Sequence, residues 1–83
     1  MGRHSHGFVE TYNGLVGFGL DRETDENTII YYLQKFSDDT LMQVMKGRLL
    51  DNELAALFDL LSDLLRKHLS EGEYHTLFLK EEN

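Results

Sequence analysis

The sequence contains neither cysteine nor proline. Without cysteine, neither a disulfide framework nor a thiolate zinc site can supplement a hydrophobic core, and nothing indicates an oxidising compartment. No proline interrupts the predicted elements, and the chain has no internal repeat, low-complexity block or linker. These absences predict one unit that is stabilised by packing or by association.

Long hydrophobic runs are absent as well. No apolar run approaches the roughly 18–20 residues that cross a bilayer. The N-terminus, MGRHSHGFVE, also lacks the apolar region of a signal peptide. The sequence therefore predicts a cytoplasmic protein without a membrane partner.

Positive charge is sparse. Eight Lys and Arg stand against 15 Asp and Glu, which gives a formal net charge of −7, and the basic residues are scattered from Arg3 to Lys80. A chain with this charge repels phosphate backbones, and no basic stripe compensates for the repulsion. We therefore expect no nucleic-acid partner.

The size of the chain limits its core. The sequence has 83 residues, of which 41% are hydrophobic. A domain of this length buries only about 60–65% of its unfolded surface, so every apolar face has to be used. We predict a flexible N-terminal tail over residues 1–7 and a single helical domain with an N-terminal hairpin over residues 8–83.

The hairpin is predicted from the segment FVETYNGLVGFGL, residues 8–20. Asn13 and Gly14 tolerate positive φ and stand between two short runs rich in β-forming residues. Pairing Tyr12 with Leu15 sets the register of this predicted β-hairpin.

The remainder predicts a mainly α fold, a small bundle of three to four helices. The first helix should start near Asp25, although residues 28–36 suit a third strand almost as well. The second should be capped by Ser37 and end at Gly47.

The third helix is predicted to begin with Asp51 as its cap and is the most periodic segment of the chain. A fourth follows it, because Ser70 and Glu73 have the spacing of a capping box.

The leucines of the third helix cover an arc of about 180°, whereas a surface helix that packs on one neighbour needs little more than about 100°. The extra width indicates that this helix is central or meets another chain. One series also alternates spacings of four and three residues, as in a heptad seam, although it is too short for a true coiled coil: Leu50, Leu54, Leu57, Leu61, Leu64 and His68. We predict partner binding by Leu57, Leu61, Leu64 and His68, and by Tyr31 as an exposed aromatic residue.

His68 has three interpretations. It can lie at the core edge with its nitrogens on helix-end carbonyls or water. It can lie in a homodimer seam, where association would depend on pH. It can also serve a metal or a reaction. Tyr32 and Phe36, in contrast, are predicted to be core residues.

Catalytic and cofactor motifs are not found. Ser62 lies on the polar side of the third helix, well away from His68. The segment GLVGFG has neither the dinucleotide-binding spacing nor that of a P-loop, and DRETDENTIIYY lacks the glycine and the final acid of an EF-hand. We therefore expect a non-enzymatic protein without a cofactor.

The sequence predicts a small acidic protein-interaction or regulatory module that binds itself or a protein partner through the third helix. The alternative is a metal-binding protein. After removal of the initiator Met, the amine, two backbone amides and His4 offer four nitrogens that suit Cu(II) or Ni(II), with His6 nearby. His68 and His75, with Glu71 and Glu73, offer a weaker set.

Overall fold

The computed structural model describes residues 6–81, which form two compact units, residues 6–48 and 49–81. The first unit contains α1 (Gly7–Thr11), α2 (Arg22–Phe36) and α3 (Asp39–Arg48). The second contains α4 (Asp51–His68) and α5 (Glu71–Glu73), which continues as a π-helical segment, Tyr74–Phe78. The prediction of a mainly α fold is confirmed. The predicted N-terminal β-hairpin is wrong, because residues 6–81 contain no β-strand.

Helix α1 replaces the first predicted strand. The Tyr12 amide donates to the Phe8 carbonyl at 2.9 Å, and the two rings stack with centroids 4.9 Å apart. Residues four apart are neighbours on a helix but not on a strand, so this stacking stabilises the helical form. The Val9 amide donates at 2.9 Å to Oε1 of Gln34 in α2 instead of to a second strand. The Phe8 and Tyr12 spacing was the signal that the hairpin interpretation overlooked.

Thr28 of α2 binds Gly17, in the segment that was predicted to be the second strand. Its Oγ1 accepts from the Gly17 amide and donates to the Gly17 carbonyl, both at 3.0 Å. Thr28 is 4% exposed and is the one fully buried residue of the described range. The two backbone groups that a strand ladder would use are thus satisfied by a single side chain of α2.

The Asn13-Gly14 pair is not a hairpin turn. The Tyr12 hydroxyl donates to the Leu15 carbonyl at 2.7 Å and lies directly over Gly14. A Cβ at residue 14 would stand 2.6 Å from that hydroxyl oxygen. Glycine is therefore required here for the close approach of an aromatic ring rather than for a turn between strands.

Asp21 caps α2. One of its carboxylate oxygens accepts from the Thr24 amide at 2.8 Å and the other from the Thr24 hydroxyl at 3.0 Å. The helix thus starts at Arg22, three residues before the predicted start at Asp25, whose Oδ1 accepts instead from the Gly19 amide at 2.8 Å. The ambiguity over residues 28–36 is resolved in favour of helix.

The predicted cap of the next helix is displaced by one residue. The Ser37 amide still donates to the Leu33 carbonyl at 3.0 Å, so Ser37 ends α2. Asp38 caps α3 instead, because its Oδ2 accepts from the Leu41 amide at 3.1 Å. Helix α3 passes through the predicted stop at Gly47 and ends at Arg48.

Helix α4 begins at Asp51, which is its first residue and not its cap. The carboxylate of Glu53 accepts from the Leu50 amide at 2.8 Å, and both acids face the positive end of the helix dipole. The predicted capping box of the last helix is confirmed: Ser70 N donates to Glu73 Oε1 at 2.8 Å, and Glu73 N donates to Ser70 Oγ at 3.2 Å.

Neither unit contains a buried hydrophobic side chain within residues 6–81. The predicted bundle core is therefore not found in either unit. Stability within each unit depends instead on helix caps, on aromatic stacking and on half-buried apolar contacts.

The Asp21 cap makes the start of α2 dependent on pH. The hydrogen bonds from the Thr24 amide and then the Thr24 hydroxyl lower the pKa of Asp21 below its ordinary value. A lowered pKa means that the stabilisation is complete above the ordinary value and is lost as pH falls through the lowered pKa. We expect the Thr24 amide resonance to shift on acidification of the native chain. Asp21→Asn keeps the accepting oxygen without the charge and should remove that titration; an unchanged titration in the variant would contradict the assignment.

Thr28→Val should release the segment around Gly17. The valine fills the same volume but leaves two Gly17 groups without their partner, at a cost of about 1–2 kcal/mol. Amide hydrogen exchange at Gly17 measures the loss as faster exchange. Thr28→Ser retains the hydroxyl and is the control. Equal exchange rates in the two variants would show that the hydroxyl does not hold the segment.

Candidate protein-interaction surface

Helix α4 is 18 residues long and carries opposite charges at its two ends. Asp51 and Glu53 stand in its first turn, and Arg66, Lys67 and His68 in its last. Each set complements the partial charge of its helix end and so stabilises the helix by itself. The helix can therefore persist while most of its apolar side remains in contact with water.

The apolar side of α4 forms one continuous strip along the whole helix. Its members are between 38% and 71% exposed, and they share the side opposite Asp59. We call this strip the α4 apolar face: Leu50, Leu54, Leu57, Phe58, Leu60, Leu61 and Leu64. An exposed patch of contiguous apolar residues with a polar rim is typical of a protein-binding surface.

Three of the predicted partner-binding residues, Leu57, Leu61 and Leu64, lie together at the centre and C-terminal half of this face. Their side chains are exposed in the described structure, so none of them belongs to a core of the second unit. Phe58 is the most exposed member, at 71%, and the sequence interpretation treated it only as part of the stripe.

His68 is the last residue of α4 and follows Leu64 by one turn on the same side. It is exposed, so the core-edge interpretation does not describe it. The interpretation of His68 as a residue of a homodimer seam stays a prediction.

Beyond α4, the chain folds back to form an open groove of about 400 Å³. The Ser70 capping box turns the chain, and Tyr74 stacks on Phe78 with ring centroids 5.3 Å apart. The groove is lined by Ser62, Leu65, Arg66, Leu69, Ser70, Glu71 and Tyr74. Arg66 is paired across one turn with Asp63 at 3.3 Å.

The prediction of which aromatic residues of α2 are exposed is wrong: the structure shows the opposite arrangement. Tyr31 is half-buried, with the Tyr12 ring 5.9 Å away and Lys35 Nζ 5.2 Å from its ring centroid. Tyr32 is 63% exposed, and Phe36 is also exposed. The reason is α1, which brings Tyr12 against the side of α2 that the sequence interpretation had left to solvent. Tyr31 keeps partial access through an open groove that it lines with Tyr32 and Lys35.

A second exposed apolar region was missed. Leu15, Phe18 and Leu20 are each more than 60% exposed in the segment between α1 and α2. Gly19, between the last two, has φ +94°, a conformation that side-chain-bearing residues rarely adopt. Large apolar residues interleaved with glycine and without helical spacing were the available signal.

The metal-binding alternative concerns four histidines, of which His4 lies outside the described residues. His6 Nε2 is hydrogen-bonded to Ser37 Oγ at 2.8 Å, and His75 Nδ1 contacts Glu81 Oε1 at 2.6 Å. No group of three or more His, Asp or Glu side chains within residues 6–81 is arranged to hold a metal ion.

In the part of the chain that the structure describes, no helix has the length and apolar character needed to cross a membrane. The chain significantly matches no protein-family model, no curated protein and no solved structure.

Ser70→Ala should loosen the turn between α4 and α5. Loss of the oxygen that accepts from Glu73 N typically costs about 1 kcal/mol of helix stability, and in so short a segment the effect should be confined to the neighbouring amides. The measurement is amide exchange at Glu73 and Tyr74, with Ser70→Asp, which retains an acceptor, as the control. Unchanged protection in the alanine variant would contradict a role for the capping box.

Proposed function

We propose that this chain is a small, acidic, non-enzymatic interaction module of the cytoplasm that binds protein surfaces through the α4 apolar face. One observation carries the proposal: seven large apolar side chains form a continuous strip on the most regular helix, and all seven are exposed.

The energetics of a short chain support this proposal. Full burial of a Leu or Phe side chain stabilises a protein by about 1.5–3 kcal/mol, and a folded domain has a net stability of only about 5–15 kcal/mol. Seven such side chains that are only half covered therefore represent a large unused stabilisation. A protein partner that covers them supplies what the isolated units lack.

The ends of α4 set the chemistry of the partner. Asp51 and Glu53 on one end favour basic groups, and Lys67 and His68 on the other favour acidic ones. A partner surface with an apolar centre and opposite charges at its two ends fits this pattern. The net charge of −7 continues to disfavour nucleic acid as the partner.

Tyr31 is proposed as a secondary contact through its groove with Tyr32 and Lys35. The Tyr31 groove lies in the first unit, and the α4 apolar face lies in the second. The metal-binding alternative gains no supporting observation from residues 6–81.

Leu57→Gln distinguishes an interaction surface from a core. If the α4 apolar face is open in the monomer, the free energy of unfolding of the variant in dilute solution should lie within about 0.5 kcal/mol of that of the original chain. If Leu57 belongs to a core, the loss should be about 2 kcal/mol or more. Urea unfolding at low protein concentration is the measurement.

Ala55→Gln introduces the same side chain on the opposite side of α4 and serves as the matched control. A soluble paramagnetic probe provides an independent readout at the methyl groups of Leu57, Leu61 and Leu64. We expect strong broadening of these resonances in the dilute chain. Protection of all three from the probe in the monomer would contradict the proposed function, because the chain itself would then cover the face.

A further inference from the structure

The charges of α4 favour one arrangement of two copies. In an antiparallel pair, the acidic start of each helix, Asp51 and Glu53, lies beside the basic end of the other, Arg66 to His68. The symmetry of a homodimer makes this favourable contact occur twice. The two helix dipoles also point in opposite directions, which places partial charges of opposite sign side by side. A parallel pair would instead bring the two acidic ends together and the two basic ends together.

The seam of α4 fits itself in the antiparallel direction. Its alternating spacing of four and three residues is that of the two apolar positions of a heptad. With Leu57 of one copy placed opposite Leu61 of the other, Leu54 falls opposite Leu64. The same register places Leu50 opposite His68 at both ends. Every central layer of such a pair is leucine on leucine.

The residues beside the seam separate the two directions further. In the antiparallel register, Phe58 meets Phe58 and Leu60 meets Leu60 on either side of the two-fold axis, and Glu53 meets Lys67. In a parallel pair, the flanking positions would place Glu53 against Phe58, a carboxylate against an apolar ring. The antiparallel pair thus matches Phe58, the most exposed member of the α4 apolar face, with an apolar partner, while its one unmatched flanking contact is Asp51 with the half-buried Leu65.

We propose that the α4 apolar face binds the α4 apolar face of a second copy of this chain in an antiparallel, two-fold symmetric pair. This inference rests on the proposed function and specifies its partner. Helix α4 is about 27 Å long, so the contact is smaller than a standard protein interface. The dissociation constant is therefore expected to be roughly micromolar or weaker.

A nitroxide label at residue 52 tests the direction. The chain has no cysteine, so Asn52→Cys gives a single labelling position on the polar side near the start of α4. Spin-labelled protein at natural isotopic abundance is mixed with ¹⁵N-labelled protein at several hundred micromolar. We expect intermolecular broadening centred on Arg66, because the antiparallel register places residue 52 level with it along the axis. The two residues numbered 52 would be about 21 Å apart along the axis.

Broadening centred on residue 52 itself would show a parallel pair and overturn the proposal. Absence of intermolecular broadening at every concentration, with a monomer by sedimentation equilibrium, would overturn it as well. The latter result leaves the proposed function standing if the Leu57, Leu61 and Leu64 methyl groups are open to the soluble probe. Failure of the proposed function itself is distinguishable, because those methyl groups would then be protected in the dilute monomer.

Lys67→Glu tests the charge pairing without a change in the apolar layers. It replaces two attractive contacts with Glu53 by two repulsive ones and should weaken dimerisation roughly tenfold. Arg66→Glu makes the same change in net charge at the neighbouring residue on the outer side of α4, where Arg66 pairs with Asp63. It should weaken dimerisation much less. Equal weakening by both variants would show that only net charge matters and would overturn the specific register.

Discussion

The amount of apolar surface that the chain leaves uncovered is the constraint on which the rest of the structure depends. Within residues 6–81, one residue is fully buried, and it is a threonine. The units are held by local devices: the Asp21 and Asp38 caps, the Ser70 capping box, and the paired hydrogen bonds of Thr28 with Gly17. Local devices stabilise individual helices, but they do not remove leucine and phenylalanine from water.

The helices differ in how much they need apolar burial in order to remain folded. Helix α1 is five residues long and gains support from α2, through Gln34 and through the tilted contact of the Tyr12 ring with the Tyr31 ring. Helix α4 has charges that match both of its ends and is long enough to keep its form with its face open. A preformed helix loses little conformational entropy when it binds, which favours association through α4 over association through the irregular segment around Phe18.

Local sequence signals predicted a helix end correctly only where the capping side chain had a single backbone amide within reach. Ser70 and Glu73 form their box as expected, because each satisfies an amide of the same turn. Ser37 failed as a cap, because its backbone still belongs to α2 and Asp38 is one residue closer to α3. The hairpin failed for a tertiary reason: Asn13-Gly14 is a strong turn signal, yet Gly17 binds Thr28 of α2 and Gly14 lies beneath Tyr12.

The sequence alone determined the mainly α character of the chain and the leucine stripe of α4, because both follow from helical periodicity within one segment. It also determined the charge difference between the two ends of α4. Tertiary structure decided which aromatic residue of α2 is covered, since Tyr31 is covered only because α1 brings Tyr12 to it. It likewise decided that Gly17 and Gly19 form hydrogen bonds with α2 instead of belonging to a paired strand. Contacts between distant segments depend on where other helices lie, and no local pattern specifies that.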